Sequence, residues 1–295
     1  MAWQVMFGIL LIVNLCSLTL SKVATDMLPK KKSVGIFWQY LFCAVIAFIY
    51  ALISGKTVLN SSLFLVAVVG FFNAFGNYCQ WQAFGLSFSR SSLFFPLMEI
   101  WTIALALMFL GESPLWNLQL VLGAILCFAA MWLFRISREK KDEEKEVKHI
   151  PGRKWFIFTI GMIAVFGTAA FLLKVFSVTI PRETFLSNFY LGAFLGSLPI
   201  LRLERQNPFN TRLSNKTLLI VLTVAILIMG ATLALYWTYQ LGGPISLIQP
   251  VRGMFISLVP ILLGWFIFKE RKSLTKTEWL AFFFGIIGAI LVLLR

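Results

Sequence analysis

Residues 217–239 read TLLIVLTVAILIMGATLALYWTY, an apolar run with no charged side chain. A helix of about 20 such residues crosses the roughly 30 Å hydrocarbon core of a bilayer. Lipid offers no hydrogen bonds, so a lone spanning segment has to pair its own backbone groups and does so as an α-helix. The run therefore predicts a transmembrane helix, and the rest of the chain is interpreted outward from it.

The composition of the whole chain agrees with this reading. Of the 295 residues, 59% are hydrophobic and 13% are charged, and there are 30 Phe and 10 Trp. A soluble domain is about 45–50% apolar and would expose this many aromatic rings as large patches. We therefore expect an all-α integral membrane protein.

Nine further apolar runs are long enough to cross the bilayer between polar breaks. The first run is expected to stay as a helix, because no basic residue precedes it and no small-residue cleavage site follows before Lys22. The ten predicted spans are 3–21, 37–53, 63–84, 91–110, 116–134, 155–178, 184–201, 217–239, 244–268 and 278–294.

A charged segment interrupts the apolar pattern in the middle of the chain. Residues 135–154 contain REKKDEEKEVKH and have no apolar face, so they predict a solvated linker. The linker separates residues 1–134 from residues 155–295, and each of these halves holds five predicted spans.

The placement of the 26 Lys and Arg predicts the orientation. Most of them lie in alternate loops that include the linker, whereas the other side has only Lys56, Arg182 and Arg295. Basic loops face the cytoplasm. We expect a multi-pass protein of the cell inner membrane with a cytoplasmic linker and both termini outside. The net charge of +14 then reflects topology and does not indicate a nucleic-acid partner.

Short matches between the halves indicate an internal repeat. WQAFG at 81–85 matches YQLGG at 239–243, and SKVATDMLP at 21–29 matches LKVFSVTIP at 173–181. Each half also has GAIL in its fifth span, and Glu112 and Glu270 follow the first pair of matches at similar distances. Five helices per unit force opposite orientations on the two units, so the repeat is predicted to be inverted.

With ten spans in two five-helix units, Pro96 and Pro250 in the fourth and ninth spans, and Glu112 and Glu270 closing those spans, the chain resembles the EamA-type family of the drug/metabolite transporter superfamily. Pro250 lies about one helical turn earlier in its half than Pro96 does, so the two prolines are not strict equivalents. The resemblance implies an exporter or exchanger of amino acids, metabolites, nucleotide sugars or drugs, with a central cavity between the halves.

Charged side chains deep in a span are functional candidates, because burying a charge in a bilayer costs several kcal/mol. Glu99 is about eight residues into the fourth span, and Arg252 is similarly deep in the ninth. We expect both to bind substrate, with Glu99 as a candidate proton site. The alternative is a structural ion pair between the two helices. Lys174 lies near the end of its span, where a lysine reaches the interface.

Polar and aromatic residues of the same spans are further substrate-binding candidates: Gln82, Gln240, Trp101, Asn77, Gln249 and Tyr239. Each has a structural alternative, since amides bond across helices and Trp and Tyr anchor at interfaces. Pro96 and Pro250 are expected to kink helices, and Gly192 and Gly196 predict close packing within one chain in preference to dimerisation.

The sequence contains few residues that could carry out catalysis. The lone histidine, His149, lies in the linker, the four cysteines Cys16, Cys43, Cys79 and Cys127 are scattered in apolar runs, and there is no Walker A motif. A membrane-embedded enzyme or a lipid flippase is a less favoured alternative. An intramembrane hydrolase would need His, paired Asp or a Ser/His arrangement, and the predicted spans contain no His or Asp. No metal, cofactor or catalytic residue is predicted.

The leading hypothesis is a secondary transporter that exports or exchanges an amino acid or a similar amphipathic metabolite, with protons as the candidate coupling ion. The alternative is an exchanger of organic anions, nucleotide sugars or phosphates that uses Arg252 without protons. The expected partners are the small-molecule substrate and the lipid bilayer, and the expected state is a monomer or homodimer.

Overall fold

The structure is a computed structural model that describes residues 2–55, 63–110, 152–211, 213–243, 245–268 and 275–293, together with 118–119, 122–123, 125–126, 129–130, 132–133 and 136–137. These residues form helices, turns and bends, with no strand among them. Those described between 118 and 137 are helical. The other helices are α1 (Ala2–Met27), α2 (Lys32–Ile53), α3 (Phe64–Leu86), α4 (Phe88–Ser92), α5 (Phe95–Leu110), α6 (Gly152–Ser177), α7 (Arg182–Leu203), α8 (Asn215–Gln240), α9 (Ile245–Phe266) and α10 (Lys276–Leu293).

Five of the described helices, α1, α2, α6, α7 and α8, are long and apolar enough to cross a bilayer. The chain is thus an all-helical membrane protein, as its composition predicts. The count of ten spans and the inverted repeat stay predictions.

The helices divide into two compact units. Unit 1 comprises Met1–Trp81 and Ala169–Ile245, and unit 2 comprises Gln82–Thr168 and Ser246–Arg295. Each unit contains residues from both halves of the sequence. The unit boundary passes through α3 and α6, so neither unit coincides with a predicted half.

In unit 1, α1 packs on α8, and α2 packs on α7 and α8. Two buried side chains join these helices by hydrogen bonds. The thiol of Cys43 on α2 donates to the carbonyl of Ala225 on α8 at 3.4 Å, and the hydroxyl of Tyr190 on α7 donates to Thr232 Oγ1 on α8 at 2.8 Å. Such bonds help to hold helices together where the lipid gives no hydrophobic drive for association.

Glycines bring α3 and α7 into backbone contact within unit 1. A Cβ placed on Gly70 would collide with the carbonyl of Phe189, and one on Gly192 would collide with the carbonyl of Ala67. Gly196 meets α3 one turn further along. Small residues at such positions allow close helix approach. The predicted packing of Gly192 and Gly196 within one chain is confirmed.

In unit 2, the core forms around Trp155 of α6, which is 2% exposed. Its ring packs on Phe94 with centroids 5.8 Å apart. The indole N–H donates to Ser91 Oγ at 3.1 Å, and that hydroxyl donates to the carbonyl of Ala83 at 3.1 Å. The short helix α4 is thereby attached to α3 and α6.

The fourth predicted span, 91–110, differs from the structure at its start. The chain turns at Leu93 and Phe94, and α5 begins only at Phe95. Pro96 thus lies in the first turn of α5, where the missing N–H has no intrahelical partner to lose. The predicted kink at Pro96 is wrong for this reason, whereas Pro250 lies inside α9, as predicted.

The glycine contacts predict a large difference between two conservative changes. Gly192→Ala inserts a methyl group against backbone and should destabilise the fold by about 1–3 kcal/mol, as overpacking does. Gly8→Ala should be neutral or stabilising by up to about 1 kcal/mol, because alanine is the better helix former and nothing lies within 4 Å of the added Cβ. Thermal unfolding in detergent measures both, and equal melting temperatures for the two variants would contradict the packing.

Candidate functional site

Glu99 and Arg252 both belong to unit 2, where α5 and α9 carry them. Glu99 comes one turn after Phe95, at the start of α5, so it is nearer to its helix start than the predicted eight residues. The difference arises because the chain turns at Leu93 and Phe94. Glu99 is nevertheless fully buried, as expected of a residue inside a span.

The two charges lie together but do not bond. Glu99 Oε1 is 4.0 Å from Arg252 Nη1, which is too long for a hydrogen bond. Neither carboxylate oxygen of Glu99 has a hydrogen-bond partner, and Arg252 Nε also lacks one. Arg252 Nη1 instead donates to Gln249 Oε1, one helical turn away, at 3.2 Å. The pair attracts across a gap and leaves hydrogen-bonding capacity unused.

Neighbouring contacts fix α5 and so the position of Glu99. The hydroxyl of Thr102 bonds the carbonyls of Met98 and Gly167, at 2.9 and 3.0 Å. A Cβ on Gly167 would lie 2.7 Å from the Trp101 ring, so α6 approaches α5 closely at that point. The carboxylate of Glu99 is therefore presented by a rigid helix.

A second buried ion pair in unit 2 is closely bonded. Arg90 Nη2 of α4 lies 2.6 Å from Glu278 Oε1 of α10, and the side chains are 10% and 1% exposed. The other oxygen of Glu278 accepts from the Thr275 N–H at 2.7 Å, and the Glu278 N–H donates to Thr275 Oγ1 at 3.2 Å. This reciprocal pattern is a capping box at the start of α10.

The two ion pairs differ in how completely they are bonded, and this difference suggests a structural role for Arg90–Glu278 and a functional one for Glu99–Arg252. Both oxygens of Glu278 are bonded at short distance, as a pair that holds helices together should be. Glu99 is equally buried but has an ionic partner only at 4.0 Å and no donor. A buried carboxylate left so incompletely paired is suited to accept a ligand, since binding supplies the missing bonds.

The other predicted residues fall into two groups. In unit 2, Gln249 joins the pair, Gln82 is half-buried on α3, and Trp101 lies two positions from Glu99, on another face of α5. The indole of Trp101 is 44% exposed and donates to Thr168 Oγ1 at 3.0 Å.

The remaining predicted residues lie in unit 1. Asn77 is buried on α3, and Tyr239 lies under the ammonium of Lys174, 5.1 Å from the ring centroid. The exposed amide of Gln240 donates to the Ile180 carbonyl at 3.3 Å. Gln240 is thus bonded to the segment between α6 and α7, and Lys174 contacts an aromatic ring.

Lys22 and Asp26 lie on a helix, where the sequence predicted a loop. Helix α1 continues to Met27, past the predicted end at residue 21, and the two side chains pair at 2.8 Å. Spacing of i and i+4 was the available signal for this pair.

The ion pair of Arg90 with Glu278 was also missed. The T-x-x-E sequence at 275–278 signals the helix start, but only the fold brings Arg90 to it. Glu112, Glu270, Cys127 and His149 lie outside the described residues, as do Lys56, Arg295 and most of the predicted linker. Among the described ones, no group of three His, Cys, Asp or Glu is placed to hold a metal ion.

Comparison with known proteins establishes the fold and no more. No protein family and no curated protein matches the sequence. A solved structure described only as "Crystal structure of protein" is similar, with a TM-score of 0.61 and 15% identity. The match covers 99% of this chain and 96% of that one, so the similarity is to the whole fold.

The two ion pairs should respond differently to neutralisation. Glu278→Gln leaves Arg90 buried without its charge partner and should destabilise the fold by about 3–5 kcal/mol. Glu99→Gln removes a charge that makes no hydrogen bond, so stability should change by less than about 1 kcal/mol or rise. Thermal unfolding of both purified variants tests this. A Glu99→Gln loss as large as that of Glu278→Gln would make Glu99 a structural residue.

Proposed function

We propose that the chain is a secondary transporter that exports or exchanges a small amphipathic metabolite such as an amino acid. The observation that carries the proposal is the Glu99–Arg252 pair, which is buried in unit 2 yet incompletely bonded. Buried charges of this kind mark substrate and ion pathways in membrane proteins.

The chemistry of the pair favours a substrate with both charges. A carboxylate and a guanidinium offer an acceptor for an ammonium and a donor set for a carboxylate. An amino acid presents these two groups on adjacent atoms and would bond to both side chains at once. Gln249, already bonded to Arg252, would then orient the guanidinium.

Binding at Glu99 and Arg252 can drive alternating access if the two side chains separate when a substrate or a proton is bound. A ligand shifts a conformational equilibrium only by binding its states unequally. A substrate or a proton that satisfies Glu99 weakens its attraction to Arg252 and so favours the state in which α5 and α9 part. Protons are therefore the proposed coupling ion, with Glu99 as their site.

The grouping of the helices supports membership of the EamA-type transporters. Unit 1 combines the first three predicted spans, up to Trp81, with the end of the sixth and with the seventh and eighth. Unit 2 combines the fourth and fifth spans with the start of the sixth and with the ninth and tenth. Corresponding segments of an inverted repeat are expected to associate in this way.

An anion exchanger is the second candidate function, and one observation favours it. The Arg252 side chain is 15% exposed, whereas that of Glu99 is 0% exposed. Arginine, the more accessible of the two charges, binds carboxylates and phosphates in a bidentate manner. In such an exchanger Arg252 binds the substrate and Glu99 only balances its charge.

The inner-membrane topology yields one prediction. A periplasmic reporter such as alkaline phosphatase, fused after Arg295, should be active, because basic loops remain in the cytoplasm and place both termini outside. The same reporter inserted in the linker, next to Lys145, should be inactive. Activity of the linker fusion combined with inactivity of the terminal one would reverse the orientation.

Transport itself is tested with purified chain in proteoliposomes. Uptake of a panel of amino acids, drugs and organic anions is measured with and without a proton gradient. Glu99→Gln should bind substrate but lose the dependence on the gradient. Arg252→Gln should lower uptake about tenfold or more, since a lost charged hydrogen bond is worth about 1.5–3 kcal/mol.

Arg202→Gln is the matched control, because Arg202 is exposed at the end of α7 and should leave uptake unchanged. Wild-type uptake that does not depend on the proton gradient, together with loss of uptake in Arg252→Gln, would select the anion exchanger. Normal coupled uptake by both variants would remove the pair from the mechanism.

A further inference from the structure

Unit 1 contains a group of buried polar atoms without partners. Gln39 of α2 is 0% exposed, and neither its Nε2 nor its Oε1 has a hydrogen-bond partner. On α3, Asn77 Nδ2 and Trp81 Nε1 are likewise unpaired, in side chains that are 2% and 0% exposed. A buried polar group that stays unsatisfied destabilises the fold, because it has given up its hydrogen bonds to water.

The register of α2 and α3 brings these side chains to one interface. A Cβ on Gly35 would lie 2.7 Å from the ring of Trp81, and the Asn73 amide donates to the Tyr40 hydroxyl at 3.2 Å. The two helices are therefore antiparallel, with 35 opposite 81 and 40 opposite 73. Gln39 lies one turn after Gly35, and Asn77 lies one turn before Trp81, so they fall at the same level.

We call this interface, with Gln39, Asn77 and Trp81, the Gln39 seam. The next turn of α2 after Gln39 carries Cys43, which bonds to Ala225 of α8. The α2 face that holds Gln39 is thus covered by α3 at one end and by α8 at the other. Gln39 lies in the interior of unit 1 and does not face lipid.

Some other buried amides of unit 1 do find partners, whereas Asn14 Nδ2 of α1 also has none. Asn73 bonds Tyr40 across α2 and α3, and Asn188 Nδ2 donates to the Thr184 carbonyl of its own helix at 2.8 Å. A polar residue that only joins helices would be expected to bond across them, as Asn73 does.

Charged side chains of unit 1 already have partners of their own. Glu204 accepts from the Tyr78 hydroxyl at 2.8 Å and from the Ser33 N–H at 3.4 Å. Lys22 pairs with Asp26 at 2.8 Å. The seam itself offers amide and indole N–H donors and one amide carbonyl, a set that suits neutral oxygen groups.

We propose that the Gln39 seam is a second, gated subsite of the transporter, which opens during the cycle and binds carbonyl or hydroxyl oxygens of the transported molecule. The structure holds the seam closed, with the polar atoms enclosed. Opening relieves the cost of the unpaired groups, because water or cargo then bonds to them. The ligand assignment rests on the proposed function, whereas the opening does not.

Cysteine accessibility tests the opening without a known substrate. In a variant with Cys16, Cys43, Cys79 and Cys127 replaced by alanine, Gln39→Cys and Asn77→Cys are treated in proteoliposomes with a charged methanethiosulfonate reagent. Both should label at least about tenfold faster than Ala47→Cys, because labelling follows the open population. Ala47 is the control, since it lies on α2 and is equally buried at 0% exposure. Equally slow labelling of all three would overturn the proposal.

Gln39→Leu provides an independent measurement. Leucine removes the unpaired polar atoms, so the melting temperature of the variant should equal or exceed that of the wild type. A marked decrease in melting temperature would show that Gln39 joins helices and would refute the subsite. On the uptake panel, Gln39→Leu should lower uptake of carbonyl- or hydroxyl-bearing compounds about tenfold, the worth of one hydrogen bond. If Gln39→Cys and Asn77→Cys are labelled rapidly but the protein transports no compound on the panel, the opening of the seam is supported. That outcome would overturn the proposed function and the ligand assignment.

Discussion

The cost of keeping charge away from water governs this structure. Lipid cannot solvate a carboxylate or a guanidinium. Each buried charge therefore needs a partner within the chain, or it is retained because it serves a function. Unit 2 contains both cases. Arg90 and Glu278 approach to 2.6 Å, and a capping box satisfies the second oxygen of the carboxylate. Glu99 and Arg252 remain 4.0 Å apart, and the Glu99 oxygens accept no hydrogen bond.

Small residues allow the helices to pack closely against one another. Gly192 and Gly70 let α7 and α3 meet backbone to backbone, and Gly167 lets α6 reach the Trp101 ring. Without hydrophobic drive between helices in lipid, close contact and interhelical hydrogen bonds supply much of the association. The result is a frame in which Thr102 and Trp155 fix their helices by side-chain hydrogen bonds. Against so well bonded a frame, the few unpaired groups stand out as exceptions.

Unpaired buried groups occur in both units. Unit 2 contains the Glu99–Arg252 pair and the Trp265 indole, and unit 1 contains the amides and the indole of the Gln39 seam. Each unit therefore has buried polar atoms whose hydrogen-bonding capacity is unused.

Much of the fold was predictable because lipid imposes a simple rule on sequence. Long apolar runs gave α1, α2, α6, α7 and α8, and charge deep in such runs identified Glu99 and Arg252. The limits of the helices were harder to predict. Helix α1 runs on to Met27 because its charged residues pair with each other, and α5 starts only at Phe95 because the chain turns at Leu93 and Phe94. Gln39 was overlooked because an amide in a span carries no signal of whether it finds a partner.

The sequence by itself determined that this is a helical membrane protein and which of its charges are costly to bury, because hydropathy is a property of each segment. Only the tertiary structure decided which charges are satisfied. Glu278 and Glu99 are both glutamates in apolar surroundings, and their difference lies in donors that come from elsewhere: Arg90 on another helix for one, and no bonded donor for the other. Pairing across helices depends on register and distance, which no local sequence pattern contains.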